Sequence, residues 1–195
     1  MTEQRPAPRL APLDENRLTD AQKAMRDSLV SGPRGKIRMD GPFGIWMNAP
    51  EFGQLAQQLG AHCRYKTAIP PRLSEFAILC TARRWRAQYE WEAHSPIAEK
   101  AGVSPETIED IRSGRRPRYA PEDELLVYDF VQELYRDRRV SDSLYRRTVE
   151  LFGEAGTIEL VGILGYYTLI SMTLNVFRAP TSPDKPLPFR EPAVG

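Results

Sequence analysis

Between Thr19 and Phe177 apolar residues return every three or four positions, and the signals that punctuate them are those of helix starts and stops. Thr19 followed by Gln22 has capping-box spacing ahead of a helix to about Leu29, and the stretch SGPRGKIRMDGPFG after it reads as a loop. Asn48 is placed to cap a helix that opens near Pro50 and runs toward His62, since a proline in the first turn gives up no hydrogen bond that the helix needs. Pro70 and Pro71 open a third helix through Leu73, Phe76, Ile78, Leu79 and Cys80 to Trp85. A fourth covers Ala87 to Ala101 and stops at Gly102, after which Ser104-Pro105 starts a short helix that ends at Gly114. Residues 115–121 are a basic, proline-containing connector, and Leu125, Leu126, Phe130, Val131 and Leu134 then repeat at helical spacing over 122–139. Ser141 caps the next helix, which stops near Gly153, and the last runs from about Thr157 to Phe177.

That last helix is apolar nearly all round and is about as long as a membrane span. Glu159, Asn175 and two tyrosines interrupt it, which points instead to a central core or subunit-interface helix. No segment alternates with the period of a strand. The expected fold is all-α, with seven or eight helices in one domain over 16–178 and proline-rich tails at 1–15 and 179–195.

Composition narrows the function classes. With 27 Lys+Arg against 26 Asp+Glu the formal net charge is +1, so there is no broad positive field for nucleic acid or an anionic membrane. Two cysteines, Cys63 and Cys80, cannot build a disulfide framework, and two histidines, His62 and His94, leave little for a zinc site. The expectation is an intracellular, reduced, metal-free protein. The first residues lack the apolar stretch of a secretory signal, which points to the cytoplasm.

The chemistry lies in the third and fourth helices. At about 100° per residue, setting Glu90 at 0° puts His94 near about 40° and Ile97, Ala101, Ala87 and Ala98 within about 80°, so Glu90 and His94 fall inside the apolar stripe. Their i,i+4 spacing sets them side by side. Glu75 likewise shares a stripe with Ile78, Leu79 and Ala82. Three buried ionisable groups are least costly when they meet, and a carboxylate–imidazole–carboxylate cluster in an apolar pocket suits acid–base work. The alternative reading of the same cluster is a clamp between two helices. Pro96 either kinks the helix beside His94 or marks a restart at Ser95-Pro96.

The run PPRLSEFAILCTARRWRAQYEWEAHSPIAEKAGVSPETIEDI resembles the core of the carboxymuconolactone decarboxylase / alkyl hydroperoxidase D (AhpD-like) family. The likeness is specific over about residues 42–114 and weaker over 140–178. In the family's peroxidase branch the site is a Glu, a Cys-x-x-Cys pair that begins twelve residues later, and a His four residues after the second Cys. These positions fall on Glu75, Ala87, Glu90 and His94, so the spacing is kept and both cysteines are absent. Peroxide chemistry needs an attacking thiolate and a resolving thiol, which alanine and glutamate cannot supply.

The resemblance therefore implies the decarboxylase branch: an AhpD-like helical fold, a homo-oligomer (dimer, trimer or trimer of dimers), no cofactor, and a lyase or isomerase acting on a small carboxylated or lactone metabolite. His94 would meet the substrate, Glu90 would orient and charge it, and Glu75 would complete the relay. Trp46, Trp91 and Tyr167 are candidates either to line the pocket or to fill the core; Asn175 either donates to substrate or caps a helix end. Arg72, Arg83, Arg84 and Arg86 read as solvent-facing. Competing readings are an AhpD-like peroxidase using Cys63 or Cys80, and a non-catalytic oligomeric binding protein, which would hold if no pocket adjoins His94.

Overall fold

The computed structural model, which describes residues 5–35 and 37–191, contains eight α-helices and, among the described residues, no strand. They are α1 (Asp20–Ser31), α2 (Pro42–Trp46), α3 (Pro50–Tyr65), α4 (Pro71–Trp85), α5 (Gln88–Lys100), α6 (Pro105–Arg112), α7 (Glu122–Asp137) and α8 (Asp142–Phe177), with a 3-10 turn at Glu15–Arg17. The all-α expectation holds.

Local signals account for most boundaries. Thr19 and Gln22 make the full capping box at the start of α1, and Ser104 accepts from the Thr107 amide at the start of α6. Two expectations need correction. The loop after α1 ends at Gly41, because Pro42 opens the short α2. Asn48 does not cap α3, whose N-cap is Ala49; its amide donates instead to the carbonyls of Gly44 and Ile45 at the end of α2.

α4 is the central element. It packs against α5, α6, α7 and α8, and every residue from Leu73 to Ala82 is buried. Leu73, Phe76, Ile78 and Leu79 are at most 2% exposed, and burying each contributes about 1.5–3 kcal/mol. Arg86 closes α4 in the left-handed region (φ 48°), and the Ala87 amide reaches back to the Ala82 carbonyl at 2.9 Å. Only Arg86 and Ala87 separate α4 from α5, so α5 folds straight back onto α4.

α8 holds the longest run of apolar residues. It is broken at Gly153 (φ 71°, ψ 174°), the stop expected there, but helical geometry resumes at once rather than near Thr157. By length and composition α8 is able to span a membrane, yet half of its most apolar window is buried within the fold. Leu160, Ile163, Leu164, Ile170 and Leu174 lie in the core, while Ile158 and Val161 face outward. α3 meets α8 at Gly60, where a Cβ would stand 2.0 Å from the Tyr166 hydroxyl, so only glycine permits this approach. Residues 178–191, after α8, are not helical, but they are tied down: Phe189 is buried against Trp91, and its backbone exchanges two hydrogen bonds with the Gln88 side chain.

Candidate active site

Glu75 projects from the buried face of α4, and Glu90 and His94 project from the face of α5 that packs on it, so the two-residue connection brings the three together. They are 6%, 4% and 4% exposed. His94 Nδ1 lies 2.6 Å from Glu75 Oε2, and His94 Nε2 lies 3.1 Å from Glu90 Oε1. Glu90 also stands in the first turn of α5, where the helix dipole favours a carboxylate. α5 continues through Pro96 without interruption, so the helix does not restart at Ser95-Pro96.

Burial alone would drive the imidazole toward its neutral form. The charges of Glu90 and Glu75, together with their hydrogen bonds, overcome this and raise its pKa from 6.5 to about 9. At neutral pH His94 is therefore an imidazolium, hydrogen-bonded through Nδ1 to Glu75 and ion-paired through Nε2 with Glu90. The charges of the cluster also act on Arg64, which makes no ion pair with it. Although burial opposes the charge on this guanidinium, the nearby Tyr167, Tyr65, Glu75 and Glu90 raise its pKa.

A cavity of about 280 Å³ adjoins the cluster. Glu90 and His94 form part of its wall, with Arg64 from α3, Arg34 and Arg38 from the loop after α1, and Tyr166 and Tyr167 from α8. Glu75 is not in the wall; it stands behind the histidine. The Tyr167 ring meets the imidazole edge-on at 5.2 Å. Burial raises the pKa of Tyr89, Tyr166 and Tyr167, so each stays a phenol able to donate.

Arg38 is paired in bidentate fashion with Asp40 at 3.0 and 2.8 Å. Arg34 and Arg64 have no ion-pair partner among the described residues. The Arg34 guanidinium lies 4.7 Å from the Phe43 ring centroid, and its buried Nε has no hydrogen-bond partner. The Tyr166 hydroxyl lies beside it, equally without a well-formed partner. Unsatisfied buried donors that face a cavity are where a polar ligand group gains most. Among the described residues no group of three or more His, Cys, Asp or Glu side chains is arranged to hold a metal ion.

Of the four side chains considered for substrate contact, only Tyr167 reaches this cavity. Trp46 is a core residue, packed edge-on against Phe43, Phe52 and Tyr166, with its indole N–H donating to Thr173 Oγ1 at 3.3 Å. Trp91 packs against Phe189 at 5.2 Å. Asn175 donates to the Trp85 carbonyl at 2.7 Å and so caps the end of α4. Arg72, expected to face solvent, is paired with Asp123 and Glu124 of α7.

The arginines that do line the cavity escaped sequence reading because two of them sit in a loop without periodicity. Arg64 had a signal: it follows Gln57 and Gly60 along the buried stripe of α3. Both thiols are free, buried and outside the cavity wall, and burial raises the pKa of each, which disfavours the thiolate. Among curated proteins none matches the chain. Residues 50–121, the stretch that supplies Glu75, Glu90, His94 and Arg64, match the model of the carboxymuconolactone decarboxylase family, the family that the sequence resembles.

Proposed function

We propose that this chain is a cofactor-free acid–base enzyme, a lyase or isomerase acting on a small carboxylated or lactone metabolite. The observation that carries this reading is an imidazolium held between two buried carboxylates at the wall of a cavity that also presents unpaired Arg34 and Arg64. A purely structural clamp would have no need of an adjoining cavity with orphaned donors.

In the decarboxylation form, Arg34 and Arg64 hold a carboxylate that stays on the substrate, since a clamp on the departing one would stabilise the ground state. The carbon–carboxyl bond breaks, carbon dioxide leaves, and the electron pair enters a conjugated carbonyl. The Tyr166 and Tyr167 phenols are placed to donate to the oxyanion that develops there. His94 Nδ1 is hydrogen-bonded to Glu75 and Nε2 is in ion-pair contact with Glu90, so the proton reaches carbon from Nε2 by way of Glu90, which shares the cavity wall. Glu75, behind the ring, positions and charges it. The same unit moves a proton between two carbons in an isomerisation.

The test is carbon dioxide release and deuterium incorporation at carbon from a panel of small carboxylated lactones. His94→Asn and Glu90→Gln are expected to lower kcat by about 10²–10⁴, and Arg64→Ala to raise KM more than it lowers kcat. Full turnover by His94→Asn defeats the assignment. The chain is further proposed to work as a homo-oligomer. Phe52, Leu55 and Leu59 of α3 and Ile158 and Val161 of α8, two helices that pack on each other, are exposed, and a second copy would cover them. Sedimentation of a monomer at micromolar concentration would contradict this.

A further inference from the structure

A second cleft, of about 580 Å³, lies between the C-terminal ends of α4 and α6 and the C-terminal segment. Its wall carries four guanidiniums, from Arg83, Arg86, Arg112 and Arg190, against one carboxylate, Glu191. Two of these groups are already engaged. Arg112 is paired in bidentate fashion with Glu109 at 2.7 and 2.8 Å and also donates to the Pro188 carbonyl. Glu191 accepts from the Gln88 amide at 2.8 Å.

The remaining three are not. Arg83, Arg86 and Arg190 make no ion pair among the described residues. Basic residues often serve helix ends by donating to the last carbonyls, but none of the side-chain hydrogen bonds among the described residues comes from these three. Arg83 is the telling case: its Nε is buried without a partner, and its guanidinium lies 5.5 Å from the Phe189 ring centroid. A buried, unsatisfied, charged donor beside two further free guanidiniums is costly unless something anionic completes it.

We propose that this cleft binds a phosphoryl group, carried by a small molecule. A phosphate offers several strong acceptor oxygens and close to two negative charges, which matches a convergent set of arginines better than a single carboxylate does. The anion joins α4, through Arg83 and Arg86, to the C-terminal segment, through Arg190. That segment is otherwise fastened by the Gln88–Phe189 backbone bonds and by the contact of Phe189 with Trp91. The site is separate from the cavity beside His94; the two share no lining residue.

Calorimetric titration of the full chain with inorganic phosphate and with pyrophosphate, and thermal unfolding in their presence, tests this. Both anions are expected to bind and to raise Tm with concentration, whereas acetate at equal ionic strength does not. Arg83→Gln and Arg190→Ala should each weaken binding about tenfold or more. Arg190 is exposed, so its replacement leaves the fold intact even if the Arg83 variant does not fold. Arg34→Ala, in the other cavity, should leave phosphate binding unchanged whatever it does to turnover. Absence of binding, equal effects of acetate, or binding that survives both cleft substitutions overturns the proposal. Loss of binding in Arg34→Ala would move the anion to the other cavity and overturn it equally.

Discussion

Raising the pH from 6 to 9.5 is expected to weaken the fold through His94. The imidazole's pKa is 6.5 when unperturbed and about 9 in the folded chain. Between these values the native state holds a proton that the unfolded chain has released, so stability falls as pH rises. The contribution is complete below about pH 6.5 and is lost as pH passes through about 9. Two and a half units at about 1.36 kcal/mol each make this about 3 kcal/mol, a large share of an ordinary domain's stability.

Glu90→Gln is the informative perturbation, because it keeps the shape and an oxygen beside Nε2 while removing the larger of the two Coulombic attractions on the ring. The His94 midpoint, followed by NMR of the imidazole, should drop by about one unit or more in the variant. Urea unfolding at pH 6 and pH 9.5 should show a loss in the wild type that shrinks in Glu90→Gln. A wild-type stability that is flat or rises over this range, or a midpoint that ignores the substitution, refutes the reasoning. The NMR titration of the wild type stands even if the variant folds poorly.

Gly60→Ala should destabilise by about 1–3 kcal/mol, since its Cβ would meet the Tyr166 hydroxyl at 2.0 Å and Arg34 Nη2 at 2.7 Å; an unchanged urea midpoint would mean that α3 and α8 part freely. Neither Cys63 nor Cys80 should react with a thiol reagent in the native state, as both are at most 2% exposed, and rapid native labelling of either would contradict the burial. Asn175→Ala removes the bond to the Trp85 carbonyl and should lower stability by about 0.5–1.5 kcal/mol, read from chemical unfolding; a larger loss of turnover than of stability would restore a role in the site.

The buried Glu75–His94–Glu90 cluster was legible because its signal is local. Helical periodicity alone turned Glu75, Glu90 and His94 inward, and the cost of burying charge required that they meet. Capping at Thr19 and Ser104 and the prolines at Pro50, Pro71 and Pro105 fixed most helix starts for the same reason: each acts within one turn. Asn48 shows the limit, since a side chain between two helices serves whichever has the unsatisfied backbone groups nearer to hand.

What lies around the cluster was decided by tertiary structure. Arg34, Arg38 and Arg64 come from a loop and from a separate helix, and the pattern along one element carries no information about what another brings to face it. The aromatic residues divided in the same way. Tyr167 reached the cavity while Trp46 and Trp91 became core, because each is equally apolar on its own helix and only packing chooses its neighbour. The order of partners around His94 is also tertiary. Helix spacing set Glu90 beside it, but the two-residue turn after Trp85 put Glu75 on the far ring nitrogen and left Glu90 at the cavity. Helix periodicity was enough to show which ionisable groups turn inward and meet; the fold decided which of them faces the cavity, because exposure to a cavity depends on several elements at once.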